Sequence, residues 1–212
     1  MLSAVFLHIA GCANHNNLCH LKGRQFLPVL FLLYLQRCDF LLILRPTYIC
    51  KNVFEITPQQ LKSLGIKALL LDVDNTLAIY HTDVPVDGIK QWIEQMQSAG
   101  IDLHILSNAK PKRLTRFANN VGLPYFYMSL KPLPFKTNRA IKALGRQKSE
   151  VAIVGDQLFT DIMCANLCGI RSFWVDIFQP EDKLSFKIKR KIEGRLRPKY
   201  IKIISEVQNN ER

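Results

Sequence analysis

Asp72 and Asp74 stand one residue apart at the end of an apolar run, residues 67–73 (KALLLDV). In an extended chain, side chains i and i+2 share a face, so the spacing predicts two carboxylates held side by side. Carboxylates that close repel each other and drive one to bind a proton unless a cation intervenes. Asp156 follows another apolar run, residues 151–154 (VAIV), and Asp161 lies five residues beyond it. Oxygen-only ligands in this number suit Mg²⁺, which keeps several waters and is usually completed by substrate phosphate. A DxD alone is equally a turn or a helix N-cap. The conjunction is what distinguishes this chain: DxDxT after one buried strand and GDxxxxD after another, in that order.

The elements that must position these residues alternate. Thr57 reads as an N-cap and Pro58 as the first helical residue of a short helix stopped by Gly65. The run 67–73 has the continuous apolarity of a strand buried on both faces. Ile89, Trp92, Ile93 and Met96 recur at helical spacing within 87–99. Further strands are predicted over 101–106, 125–128, 151–154 and 172–175, and helices over 111–121, 135–144 and 160–167. Strands alternating with helices imply a parallel sheet covered on both faces. In such sheets chemistry gathers at the C-terminal strand ends, where strand order reverses. Polar residues crowd those ends here: Asp72 to Thr76, then Ser107-Asn108, then Gly155-Asp156.

Asp72-Val73-Asp74-Asn75-Thr76 resembles motif I of haloacid dehalogenase-type phosphatases. Ser107 resembles the motif II hydroxyl, Lys131 in Lys131-Pro132 the motif III lysine, and the stretch from Gly155 to Asp161 motif IV. The segments VDNTLA, LSNA, KPLPF and GDQLFTD are similar to the YqeG family, a bacterial branch of subfamily IIIA related to mitochondrial phosphatidylglycerophosphate phosphatases. The resemblance implies a three-layer Rossmann-like α/β fold with strand order 3-2-1-4-5. It implies Asp72 as nucleophile and Asp74 as general acid and base. Mg²⁺ would be held by Asp72, Asp74 through its backbone carbonyl, Asp156 and Asp161. Thr76, Ser107, Asn108 and Lys131 would meet the transferring phosphoryl group or its surroundings. Lys136 competes for the lysine role.

The intervals 77–87 and 109–130 are too short for an inserted cap domain, so the site is expected to be capless and open to bulky phosphomonoesters. A lipid phosphate, a protein, a nucleic-acid end, or a sugar phosphate enclosed by a homo-oligomer partner would each fit. His81 sits in the short flap beside the site.

Outside this core the sequence says less. Residues 1–45 are apolar without a clear period; Arg37 and Asp39 interrupt the stretch that would have to span a bilayer. They read as an extension from a start assigned too far upstream, or as a membrane-associating segment. Ile9-Ala10-Gly11-Cys12 has the look of a lipidation site but lacks a positive leader. The catalytic domain is expected over 46–180. The formal net charge is +12, and residues 183–202 hold nine Lys or Arg against one Glu. Leu184, Phe186, Ile188, Ile192 and Leu196 are interleaved with those cations, so 181–212 reads as a basic amphipathic segment. A solvated helix packed on the domain, an anionic membrane surface and, with less support, RNA are its three readings. Cys164 and Cys168 read as small buried residues, and the six thiols suit a reducing, cytoplasmic compartment, peripheral to a membrane if the basic segment docks there. The competing class is a phosphatase-like binding module that engages RNA, a ribosomal particle or a membrane through its basic segment.

Overall fold

Two short runs decide the architecture. Strand β2 (Ala68–Leu71) and strand β5 (Val151–Gly155) are buried along their whole length, as strands covered on both faces must be. They pair in parallel, Leu69 opposite Ala152 and Leu71 opposite Val154. Around them lie β3 (Asp102–Leu106), β4 (Tyr125–Phe126), β6 (Arg171–Trp174) and β1 (Tyr48–Ile49), all parallel, in the order β1-β6-β5-β2-β3-β4. The expected order of five strands is reproduced, and β1 extends it by one edge strand. Two residues were too few to register as a strand in the sequence; their pairing with Phe173 and Trp174 makes one.

In the computed structural model of the protein, the described residues are 42–210. The reading of residues 1–45 as an extension falls almost wholly outside the described residues.

Alternation along β2 separates two cores. Leu69 and Leu71 face a cluster with Trp92, Ile93 and Met96 of α2 (Ile89–Ser98) and Leu114, Phe117 and Ala118 of α3 (Pro111–Val121). Leu61 of α1 (Pro58–Ser63) joins the same cluster. Ala68 and Leu70 face the other, with Ala140 and Ile141 of α4 (Pro134–Ala143) and Cys164, Ala165 and Cys168 of α5 (Met163–Cys168). The result is a helix–sheet–helix sandwich. Cys164 and Cys168 are buried, unbridged thiols in the second core, as their spacing suggested.

Thr57 caps α1 by accepting the Gln60 amide at 3.2 Å, and Pro58, Pro111 and Pro134 each open a helix where a missing N–H costs nothing. The last helix, α6 (Leu184–Asn210), belongs to the same compact unit as the sheet. Its Glu193 and Tyr200 are buried, and Tyr200 meets Trp174 edge to face. Among the described residues no helix is long and apolar enough to cross a membrane.

Candidate active site

Strand order reverses between β2 and β5: the chain proceeds from β2 outward through β3 and β4, then returns to β5 and moves the other way. In open α/β sheets the ligand crevice lies at such a reversal, outside the C-terminal strand ends. Asp72 leaves β2 with its amide bonded to the Val154 carbonyl of β5 at 2.9 Å. Asp156 follows β5 directly. Asp161 enters from a π-helical turn, Leu158–Ile162, of the kind often found at functional sites. One carboxylate oxygen from each of Asp72, Asp156 and Asp161 lies within 4.8 Å of the others.

This approach depends on Gly155. A Cβ added there would overlap the Cβ and Cγ of Asp161, so glycine at that position is required by the meeting of carboxylates. Asp161 Oδ2 is fixed by the Gln157 amide at 3.1 Å and the Thr160 hydroxyl at 3.2 Å.

Lys131 is the cation of this cluster. Its Nζ lies 2.9 Å from Asp72 Oδ1, 2.6 Å from Asp161 Oδ1 and 2.7 Å from the Leu106 carbonyl. Burial alone would push the ammonium down, but the Asp161 and Asp72 carboxylates outweigh it and hold it well above the usual lysine range. Lys136 is only half-buried and has no ion pair among the described residues. The loop carrying Lys131 is clamped by Asn108, whose Oδ1 accepts from Ser129 Oγ and the Lys131 amide and whose Nδ2 donates to the Lys131 carbonyl. Asn108 thus acts on the lysine loop. Ser107 is buried, and its Oγ accepts the Ala109 amide at 3.2 Å. Thr76 is fully buried, and its Oγ1 has no hydrogen-bond partner among the described residues.

Asp74 stands apart from the three-carboxylate cluster. Its two oxygens take a bidentate pair from Arg113, at 2.7 and 2.8 Å, and Oδ1 also accepts the His81 amide at 2.8 Å. Arg113 reaches on to the Thr82 carbonyl, so one guanidinium ties Asp74 to the flap.

A second arginine arrives from α6. Arg190 bonds the Asp156 carboxylate through Nη2 and the Asp156 carbonyl through Nη1 at 3.0 Å. It also pairs with Glu181 at 2.5 Å and Glu193 at 2.8 Å. Glu193 in turn accepts the Leu158 amide at 2.8 Å, at the start of the π turn. Glu181 accepts from Asn75 at 3.1 Å, which adopts the left-handed backbone (φ 55°) that asparagine tolerates. Arg113, Arg190, Glu181 and Glu193 were not singled out in the sequence. Arg190 is one of nine cations in its run, and no spacing marked it.

The charge balance is uneven. Among the described residues, Asp72, Asp156, Asp161, Glu181 and Glu193 form ion pairs only with Lys131 and Arg190. Burial pushes Asp72 up to about 6, against the pull of Lys131 and with the help of Asp161. Asp156 is raised well above the usual carboxylate range, again chiefly by burial. Its Oδ1 is buried with no hydrogen-bond partner among the described residues. A buried oxygen without a donor, in an all-oxygen set short of positive charge, fits a divalent cation.

The haloacid dehalogenase-like hydrolase family matches residues 36–169. The chain is 31% identical over 151 residues to the probable phosphatase YqeG of Bacillus subtilis, covering 71% of this chain and 88% of that protein. It is 34% identical over 126 residues to the mitochondrial phosphatidylglycerophosphatase GEP4 of Saccharomyces cerevisiae, covering 52% of this chain and 67% of that one. Among solved structures, the cobalt-bound deoxy-D-mannose-octulosonate 8-phosphate phosphatase YrbI of Haemophilus influenzae is 19% identical. That match covers 60% of this chain and 77% of that one, with a TM-score of 0.43.

Proposed function

Given that the chain belongs to the haloacid dehalogenase-like hydrolase family, in its YqeG branch, and is a phosphatase of that superfamily, we propose that it is a Mg²⁺-dependent phosphomonoesterase working through an aspartyl-phosphate on Asp72, with a phospholipid phosphate as substrate. The observation that carries this reading is the convergence of Asp72, Asp156 and Asp161 on one point at the crevice, with Lys131 against two of them.

Lys131 occupies Asp72 Oδ1, which leaves Oδ2 to attack phosphorus as the ester P–O bond breaks. Asp74, oriented by Arg113 and the flap, protonates the leaving oxygen. It then takes a proton from the water that attacks phosphorus and frees Asp72. The Ser107 hydroxyl and the Lys131 ammonium meet the phosphoryl oxygens. Asp72, Asp156 and Asp161, with the Asp74 carbonyl, are the residues that would hold Mg²⁺. When bound, the ion supplies the positive charge that lets an anionic nucleophile approach an anionic phosphate.

The lipid substrate is supported by the open site, since no element is inserted between β2 and α2 or between β3 and α3, and by the likeness to GEP4. A cytoplasmic enzyme peripheral to a membrane suits these features and the free thiols Cys50, Cys164 and Cys168. The test is phosphate release from phosphatidylglycerophosphate in micelles, with wild type, Asp72→Asn and chelator-treated protein. Turnover abolished by the substitution, and by chelator until Mg²⁺ is restored, is expected. Turnover of soluble esters with none of the lipid rejects the substrate, and turnover surviving Asp72→Asn rejects the mechanism.

A further inference from the structure

From residue 103 to residue 149 the chain has ten Lys or Arg and no Asp or Glu. This stretch builds β3, α3, β4 and α4, one side of the active-site crevice. Lys131 is drawn into the site, Arg113 and Arg116 pair with Asp74 and Asp83, and Arg146 pairs with Asp102. Lys110, Lys112, Lys136 and Arg139 have no ion pair among the described residues.

The same side carries an apolar patch at the mouth of the site. In the segment 127–135, a loop that holds Lys131 followed by the start of α4, Tyr127 is 52% exposed, Leu133 50% and Phe135 74%, and Met128 and Leu130 are about as open. Met128 and Leu130 both take left-handed backbone, φ 49° and 57°, a conformation costly for such side chains. The turn sends Ser129 and Lys131 inward and the apolar residues out. The loop abuts the one after β3: the Ser129 amide bonds the Ser107 carbonyl at 3.1 Å, and Asn108 spans both. Lys110 and Lys112 therefore share the sheet end with the apolar loop.

We propose that the segment 127–135, the loop together with the start of α4, is a membrane-docking element that inserts its apolar side chains into the interfacial region of an anionic phospholipid bilayer while the neighbouring lysines and arginine meet the headgroup phosphates. Exposed apolar side chains beside cations that have no ion pair among the described residues suit a surface that is apolar below and anionic above. Single-stranded nucleic acid would reward aromatic platforms, and Tyr127 and Phe135 could serve as such, but the other three exposed side chains, Met128, Leu130 and Leu133, are not aromatic. A symmetric pairing of two copies would set this cation-rich side against itself. The inference rests on the phospholipid reading only for its consequence, that docking brings lipid phosphate to Lys131; binding itself needs no turnover.

The test is co-sedimentation of the full chain with vesicles of phosphatidylcholine alone and of phosphatidylcholine with 30 mol% phosphatidylglycerol, comparing wild type, Leu133→Ser/Phe135→Ser and Lys110→Glu/Lys112→Glu. Hydrolysis of a soluble phosphate ester and the oligomeric state are measured in parallel. Wild type is expected to bind the anionic vesicles at least tenfold more tightly than the neutral ones. Each double variant should lose at least tenfold of that affinity, while the serine variant keeps its hydrolysis of the soluble ester. Equal binding of both vesicle types overturns the proposal, as does a serine variant that binds like wild type. An oligomer that the serine substitutions dissociate, without vesicle binding, also overturns it and assigns the patch to a second copy. Vesicle binding in a protein inert toward every phosphate ester would keep the docking element and reject the enzymatic reading.

Discussion

Replacing Arg190 by methionine keeps the stem of the side chain and removes its charge. The guanidinium serves three carboxylates at once: Asp156 and Glu181, whose side chains are fully buried, and Glu193, which is 5% exposed. Breaking a buried ion pair from one side costs about 3–5 kcal/mol, because the partner is left charged and dry. Three partners are stranded here, and proton uptake by one of them relieves part of the cost at about 1.4 kcal/mol per pKa unit. The expected loss is therefore about 3–5 kcal/mol, read as a lower urea midpoint in chelator at neutral pH with an unchanged slope. Arg190→Lys should recover only part of it, since a point charge cannot fork between carboxylates. Arg190→Met/Glu181→Leu/Glu193→Leu should recover more, because the stranded charges go with it. The reasoning would be refuted by a shift under about 1 kcal/mol for Arg190→Met, the range of a surface ion pair. α6 would then be an appendage whose cations merely sit in solvent.

Gly155→Ala should displace the Asp161 carboxylate and weaken Mg²⁺ binding at least tenfold by calorimetric titration, while the chain stays folded by circular dichroism; unchanged affinity would dissociate Asp161 from the ion. Arg113→Ala frees Asp74 from its bidentate partner, and turnover should fall about 10–100-fold, the range for residues that orient a working group. Mg²⁺ affinity should hold, because Asp74 contributes through its backbone; a parallel loss of both would contradict the assignment. Cys50 is pushed up from 9.0 to about 11, first by burial and then by the Glu55 carboxylate. The folded chain keeps that proton where the unfolded chain has lost it, so stability falls as pH rises from about 9 to 11, by up to about 1.4 kcal/mol per pH unit. Urea midpoints between pH 8.5 and 10.5 should drop more steeply for wild type than for Cys50→Ala, and parallel slopes would exclude the effect.

Much of the core was readable because its signals are local. A run such as KALLLDV has only one comfortable place, the middle of a parallel sheet, and a buried strand followed by DxDxT puts its acids at the strand end. Pro58 and Pro111 marked helix starts through the geometry of their own rings, and the helix expected from residue 135 opens one residue earlier, on Pro134. The parts that escaped depend on partners far along the chain. Strand β1 exists because Phe173 and Trp174 offer an edge. The roles of Arg113 and Asn108 arise from loops 20 to 40 residues away. Arg190 looks like its eight cationic neighbours until the helix is wrapped onto β5 and β6. Of the apolar residues interleaved with those cations, Phe186 turns onto Tyr80 and Leu196 is half-buried, while Leu184, Ile188 and Ile192 face outward. Composition alone does not separate the two faces.

The bond between Arg190 and Asp156 also orders events in time. A ribosome completes β2 through β6 before it reaches α6, so a nascent chain holds its acidic crevice without the guanidinium that quiets it. Until Arg190 emerges, Asp156 must borrow a proton or a solvent ion, while Asp72 and Asp161 already have Lys131. A product cut short before Arg190 would leave Asp156 and Glu181 without that guanidinium.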